Sequence, residues 1–308
     1  MSFETIIGNN KIKQILQNAI STGSVLHSYM FIGTEGIGKL LFAREFAQMI
    51  LCEKNTNNIP CGTCPSCTEF LSNNHPDFME INAEDGKSIK IDQIRFLQEK
   101  IAEKPIVSNK KVYIINDSDT MTKESQNCLL KTLEEPPEYA IIILILSNEN
   151  KMLNTIKSRC TKINFSPLTG NEINQYFNEN HSSLNLNTNV LKLCGGSISK
   201  AIELQNESQS YNLLDNLINS FSNSSIIDIW NNSEILYKSK DIIQNLLEYM
   251  NIVFMNNLLE TNELKYINII KYIEEAKKRL VSNANFDMTI DNLLLKIWEE
   301  FNEKYSRC

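Results

Sequence analysis

The chain reads as an α/β fold followed by an all-helical remainder, and three observations predict this. Apolar runs of strand length alternate with amphipathic stretches through the first half. A glycine-rich loop stands between the first such run and the helix pattern that follows it. After Phe165-Ser166-Pro167 the strand signals stop, and apolar residues recur at helical spacing between Asn- and Ser-rich turns.

Taken in order, residues 28–32 (Ser-Tyr-Met-Phe-Ile) form a short apolar strand and 40–51 an amphipathic helix. Residues 77–81 predict a strand, 91–102 a helix, 111–115 a buried strand, 123–133 a helix and 139–146 a strongly apolar strand. Such alternation implies a parallel sheet covered by helices on both faces. Residues 226–237, 241–259, 263–280 and 290–301 then read as helices whose apolar faces make a bundle core, with Trp230 and Trp298 as buried or interface anchors.

With 308 residues the chain has room for about two to three domains, and 42% hydrophobic content is ordinary for a globular protein. No stretch approaches the roughly 18–20 apolar residues of a membrane span. Met1-Ser2-Phe3-Glu4 lacks a basic and then apolar leader pattern, so a cytoplasmic location is expected. A net charge of −7 argues against a broad electrostatic grip on nucleic acid, so any DNA contact is local or supplied by partners.

Gly33-Thr34-Glu35-Gly36-Ile37-Gly38-Lys39-Leu40 is a phosphate-binding loop up to its last position. Gly33, Gly36 and Gly38 let backbone N–H groups and the next helix N-terminus surround a phosphate, and Lys39 adds a positive charge. The alternative is a glycine-rich turn between strand and helix. Leu40 stands where Ser or Thr would hold Mg²⁺, so nucleotide binding is compatible with the loop while hydrolysis is expected to be poor or absent. The strand at 111–115 runs into Asn116-Asp117-Ser118-Asp119, where an active ATPase places an acidic pair for the metal. An amide at Asn116 adds no negative charge and points the same way as Leu40. The bland reading is a polar strand end that starts a helix.

Of eight cysteines, Cys52, Cys61, Cys64 and Cys67 follow a C-x8-C-x2-C-x2-C pattern, with Pro60, Gly62 and Pro65 suited to tight turns. Four thiolates close a tetrahedral Zn²⁺ sphere and leave no open catalytic position, so the metal expected here is structural zinc. An iron–sulfur cluster and four unconnected thiols are the rivals. Cys128, Cys160 and Cys194 read as small buried apolar residues, and Cys308 stands apart.

Residues 116–122 (Asn-Asp-Ser-Asp-Thr-Met-Thr), 129–137 (Leu-Leu-Lys-Thr-Leu-Glu-Glu-Pro-Pro) and Ser158-Arg159-Cys160 together resemble the AAA+ ATPase module of DNA polymerase clamp loaders. The cysteine insert sits where that family carries a zinc module, and residues 3–8, His27-Ser28-Tyr29, 283–285 and 293–295 extend the resemblance across essentially the whole chain. The family implies a P-loop α/β domain at 1–167 with a four-cysteine zinc module at about 52–67, a small helical lid at 168–207 and a helical collar for oligomerisation at 208–308.

The resemblance also implies roles. Arg159 matches the arginine that loader subunits project into a neighbour's ATP site; without the resemblance it reads as an arginine at a helix end pairing with carbonyls or a carboxylate. Gly33, Thr34, Gly36, Gly38, Lys39, Asp117 and Ser147 would face ATP or ADP, with Ser147 at the position that senses the terminal phosphate; its bland reading is a hydroxyl ending a strand. Ser199 replaces an arginine expected in Gly195-Gly196-Ser197-Ile198-Ser199-Lys200-Ala201, with Lys200 as a partial substitute. With Leu40 and Asn116 this makes three departures from an active ATPase, so the chain resembles a non-hydrolysing loader subunit. The partners implied are the loader's delta and gamma/tau subunits and, through the assembly, the sliding clamp and primed DNA; polymerase activity of the holoenzyme would belong to another chain. The competing readings are an active gamma/tau-like loader ATPase and a zinc- and nucleotide-binding adaptor outside replication.

Overall fold

A computed structural model describes residues 3–55, 59–83, 87–180 and 187–302; Cys308, the Met1-Ser2 start of the leader reading and residues 56–58 inside the cysteine loop lie outside the described residues. The chain divides into two compact units, Met1–Ser182 with Gly196–Ser199, and Ser183–Gly195 with Lys200–Cys308.

In the first unit, helices α1 (Asn10–Ser21), α2 (Lys39–Leu51), α3 (Pro65–Leu71), α4 (Ile91–Ala102), α5 (Lys123–Glu134), α6 (Asn154–Lys157) and α7 (Gly170–Asn180) alternate with strands. The strands are β1 (Ser28–Ile32), β2 (Phe78–Ile81), β3 (Lys111–Ile115), β4 (Ala140–Leu146) and β5 (Thr161–Asn164), and they form one parallel sheet in the order β2-β3-β4-β1-β5. Every residue of β4 is buried, because the sheet is covered on both faces. The strand period of two sends Ile141, Ile143 and Ile145 into one core with Phe42 and Phe46 of α2. Ile142, Leu144 and Leu146 go into the other core with Ile94 and Leu97 of α4 and Leu129 of α5. The strands expected at 28–32, 77–81, 111–115 and 139–146 are all present within one residue at their ends.

Strand β5 is the difference. It sits at the sheet edge and buries only Ile163, so its Thr-Lys-Ile-Asn sequence lacks the apolar run that marks the other strands.

The second unit holds α8 (Thr188–Leu193), α9 (Ile198–Asn206) from Lys200 onward, α10 (Ser208–Ser220), α11 (Ile226–Asn232), α12 (Glu234–Lys238), α13 (Ile243–Thr261), α14 (Leu264–Val281) and α15 (Phe286–Phe301). Helix α14 packs on both α13 and α15. Leu246, Met250 and Phe254, Ile269 and Ile273, and Ile290, Leu294 and Ile297 are fully buried along these three.

The helix expected at 226–237 is two helices. Ser233 is buried between them, and both its backbone N–H, at 3.2 Å, and its hydroxyl, at 2.7 Å, donate to the Trp230 carbonyl, closing a tight turn at the junction. Helix α15 begins four positions before the expected start because Asn285 caps it, accepting the Met288 N–H at 2.9 Å. Trp298 anchors through its indole N–H on the Ser224 carbonyl at 3.0 Å, whereas Trp230 is 43% exposed. Cys160 and Cys194 are buried as expected. Cys128 is only half-buried, and its thiol lies 3.2 Å from the Gln98 side-chain oxygen, so it acts as a polar contact between α4 and α5. Among the described residues, no helix is long and apolar enough to cross a membrane.

Candidate functional site

The glycine-rich loop leaves β1 at Gly33, whose N–H donates to the Leu146 carbonyl at the end of β4 at 3.3 Å. Gly36 and Gly38 adopt φ of 75° and 92°, left-handed values that favour glycine, and Gly38 turns the chain into α2. Lys39 is 6% exposed. Its ammonium donates to the carbonyls of Gly33 and Thr34, both at 2.7 Å, and lies 3.4 Å from the Ser147 hydroxyl. The residues expected to face a nucleotide are thus gathered: Gly33, Thr34, Gly36, Gly38, Lys39 and Ser147 meet at one loop, and Asp117 joins Gly36, Gly38 and Lys39 around a cleft of about 270 Å³ that Glu35, Leu40, Asn116 and Ser199 also line.

The electrostatics of this cleft differ from a simple cationic cradle. Burial holds the Lys39 ammonium below its ordinary value, while Asp117, Asp119 and Glu35 pull the other way. Burial pushes the Asp117 carboxyl up, with Glu35 and Asp119 adding to the rise and Lys39 opposing it. Three acids therefore share the surroundings of the one lysine. Leu40 and Asn116, at the positions read from the sequence as those that would hold Mg²⁺, supply no charge. Leu40 packs against the core on the α2 face of the sheet, and the Asn116 amide donates to Asp117 Oδ2 at 3.0 Å and to Asn82 Oδ1 at 3.1 Å.

Residues Ser197 to Ser199 press on the loop. The Ile198 N–H donates to the Gly36 carbonyl at 3.0 Å. A Cβ at Gly36 would stand 2.2 Å from Ser197 Oγ and 2.8 Å from Ser199 Cβ. Ser199 therefore reaches the loop, with a short hydroxymethyl at the position where the clamp-loader resemblance implies an arginine. Sequence alone gives Ser197 no prominence; its only signal is its place two residues before Ser199.

Arg159 lies at the turn between α6 and β5. Its guanidinium pairs with Glu134 at 2.7 Å and donates to the Thr155 carbonyl at 2.8 Å, and its own carbonyl accepts the Ser28 hydroxyl at 2.6 Å. The carboxylate and carbonyl pairing read for a lone arginine is present, and it holds the side chain in one orientation while leaving 34% of it exposed.

At the other end of α2 the four cysteines converge. Their sulfurs lie within 4.8 Å of one another, with Cys52 to Cys64 and Cys61 to Cys67 both at 4.0 Å. Tetrahedral bonds of about 2.3 Å to a central zinc set sulfurs roughly 3.8 Å apart, so the donor set fits a four-thiolate metal ion. Backbone N–H groups of Cys61, Cys64 and Cys67 point at the sulfurs of Cys52, Cys61 and Cys64 at 3.3, 3.3 and 3.4 Å, an arrangement that favours thiolate over thiol. N–H groups of Thr63 and Cys64 bring the Cys61 thiol down to about 6, while burial raises Cys67 and Cys52.

A parallel sheet with a phosphate-type loop after β1, an interior strand, and a four-cysteine cluster at the end of the next helix defines a P-loop-type α/β module carrying a cysteine insert that could hold a metal ion. The sequence model of the family described as "DNA polymerase III, delta subunit" matches residues 8–169, more than half of the chain. The chain belongs to that family, in keeping with its resemblance to clamp-loader subunits. It is 29% identical over 328 aligned residues to DNA polymerase III subunit delta' of Bacillus subtilis, covering 94% of this chain and 96% of that protein. It is 28% identical to DNA polymerase III subunit gamma of Buchnera aphidicola, covering 99% of this chain and 86% of the relative. To subunit tau/gamma of Haemophilus influenzae it is 35% identical over 175 residues, 57% of this chain, and spans only 25% of that longer relative.

Proposed function

We propose that this chain is the delta prime subunit of a DNA polymerase III clamp loader, an AAA+ module that binds structural zinc through Cys52, Cys61, Cys64 and Cys67 and hydrolyses little or no ATP itself. The observation that carries the reading is the phosphate loop: Lys39 is engaged by the loop's own carbonyls, and Leu40 and Asn116 occupy the positions that would hold Mg²⁺. Similarity to a delta' subunit over nearly the full length of both chains supports it. In this reading residues 1–167, 168–207 and 208–308 serve as ATPase-like domain, lid and collar, and the protein works in the cytoplasm. The chain stands in a ring with delta and gamma/tau subunits, helping to open the sliding clamp and place it on primed DNA.

Arg159 is then the group offered to a neighbour's ATP. A guanidinium stays charged at physiological pH and can take two phosphate oxygens, so it stabilises charge developing in phosphoryl transfer. Glu134 and the Thr155 carbonyl would hold its direction until that neighbour arrives. When bound, ATP or ADP would meet the Gly33–Lys39 loop, with Asp117 and Ser147 alongside.

The test is a loader reconstituted from this chain and its partner subunits. Arg159→Ala should assemble normally yet reduce clamp- and DNA-dependent ATP hydrolysis, and Arg159→Lys should rescue little because an ammonium lacks the planar fork. Wild-type turnover by an assembled Arg159→Ala loader sinks the trans role. The second reading, an active gamma/tau-like ATPase, rests on the otherwise complete loop and on similarity to tau/gamma subunits. Hydrolysis by the purified chain that disappears on Lys39→Ala establishes it.

A further inference from the structure

Between the cysteine loop and the sheet lies a buried polar network that none of the roles above uses. His75 is 4% exposed, Ser66 1%, Asp77 0% and Ser108 9%. The Ser66 hydroxyl donates to the Leu51 carbonyl at 2.8 Å, and the Ser108 hydroxyl donates to the same carbonyl at 2.9 Å. His75 Nδ1 accepts the Asp77 N–H at 3.0 Å. That bond assigns the ring proton to Nε2, which lies 2.8 Å from Ser66 Oγ and, with the serine proton already committed to Leu51, is the donor there. The Asp77 carboxylate accepts the N–H groups of Ile106, Val107 and Ser108, all at 2.8 Å, and so places Ser108.

The positions of the bonded groups in the chain give the network its purpose. Leu51 directly precedes Cys52, and Ser66 stands between Cys64 and Cys67. The Ser66 to Leu51 bond therefore ties the segment that carries one sulfur to the turn that carries two, and His75 and Ser108 fix that bond from the sheet side. Outer groups of this kind set the geometry of first-shell ligands, and their loss costs on the order of 10- to 100-fold in metal affinity.

We propose that His75 is the positioning residue of the cysteine site: its Nε2–H holds Ser66, and through Ser66 the Cys64–Cys67 turn, in register with Cys52. The proposal rests on the zinc reading for its main readout. The full chain is loaded with Zn²⁺, and release to a chromophoric chelator is timed for wild type, His75→Asn and His75→Gln. Asparagine can replace the Nδ1 acceptor but not the Nε2 donor, and glutamine can replace the donor. His75→Asn should release zinc about 10-fold faster or more, and His75→Gln should stay close to wild type.

A wild-type rate for His75→Asn overturns the proposal, as does equal acceleration by both variants, which would mean that the ring merely fills space. Should His75→Asn fail to fold, Ser66→Ala removes the receiving hydroxyl, and a wild-type rate there overturns it equally. If the wild-type chain takes up no zinc, the metal reading falls by itself. The positioning role is then decided by iodoacetamide labelling of the folded chain, with Cys64 and Cys67 followed separately by mass spectrometry of its peptides after digestion. Faster labelling in His75→Asn than in wild type or His75→Gln supports it, and equal rates overturn it.

Discussion

Helix α2 begins at the phosphate loop and ends beside the first cysteine, and its two ends meet their polar requirements in opposite ways. At Lys39 the cation finds acceptors inside its own loop, and three nearby carboxylates offset its charge. At Cys52 four sulfurs crowd together and N–H groups are aimed at three of them, a pattern that gains free energy when a cation binds. The phosphate loop thus meets its polar needs from within its own backbone, whereas the cysteine cluster gathers four donors that could share a metal ion. Motif completeness and ligand demand are separate properties, and the second is read from where each polar atom is already bonded.

The largest effect that can break this comparison is at the cysteine end. Cys64→Ser should take metal content from a single zinc ion per chain to none, measured by elemental analysis, while circular dichroism shows the sheet intact because both sheet cores lie outside the cysteine cluster. A metal-free wild-type chain, or an iron–sulfur absorption spectrum, removes that half of the comparison.

Next comes Gly36→Ala. It places a Cβ at φ 75° and against Ser197 and Ser199, and should cost about 2 kcal/mol in urea unfolding, combining left-handed strain with overpacking. A neutral result shows that the loop and the Ser197–Ser199 segment are not held together in solution.

Leu40→Thr restores the hydroxyl of an active loop but withdraws apolar atoms from the core, so it should cost about 1 kcal/mol and leave ATP turnover at background. Adding Asn116→Asp sharpens the test. Turnover that appears with Leu40→Thr alone shows that Asn116 is no obstacle.

The smallest effect concerns pH. Burial lowers the folded-state value of Lys39 below 10.5, so between the lowered value and 10.5 the unfolded chain holds more protons than the folded one. Stability relative to Lys39→Met should therefore rise with pH through that window, the burial penalty being present in full below it. A wild-type advantage that falls with rising pH would falsify the claim that desolvation dominates at Lys39.

What was legible in the sequence follows burial. Strands β3 and β4 announce themselves because they are covered on both faces. Strand β5 does not, since only Ile163 is buried, and α1 is missed because its pattern turns inward mainly through Ile12 and Leu16. The loop and the four cysteines are short local motifs, so spacing alone reveals them. The network of Ser66, His75, Asp77 and Ser108 is assembled from separate segments by the fold, and its one sequence signal is a histidine beside Pro76 just before β2.

The strand order has a consequence for the time at which each end of α2 is completed during synthesis. Ser28 of β1 lies opposite Ile142 of β4, so the first strand must wait for roughly 110 further residues, about 6–20 s at ordinary translation rates. Gly33 of the loop needs the Leu146 carbonyl from the same late strand. The four cysteines, by contrast, are all made by residue 67 and close a short chain segment, for which loop-closure entropy is small. If the cluster takes zinc as proposed, a nascent chain supplied with zinc is therefore expected to order the far end of α2 first, with the cysteine cluster as a seed for the helix and the phosphate loop the last part of that helix to find its support.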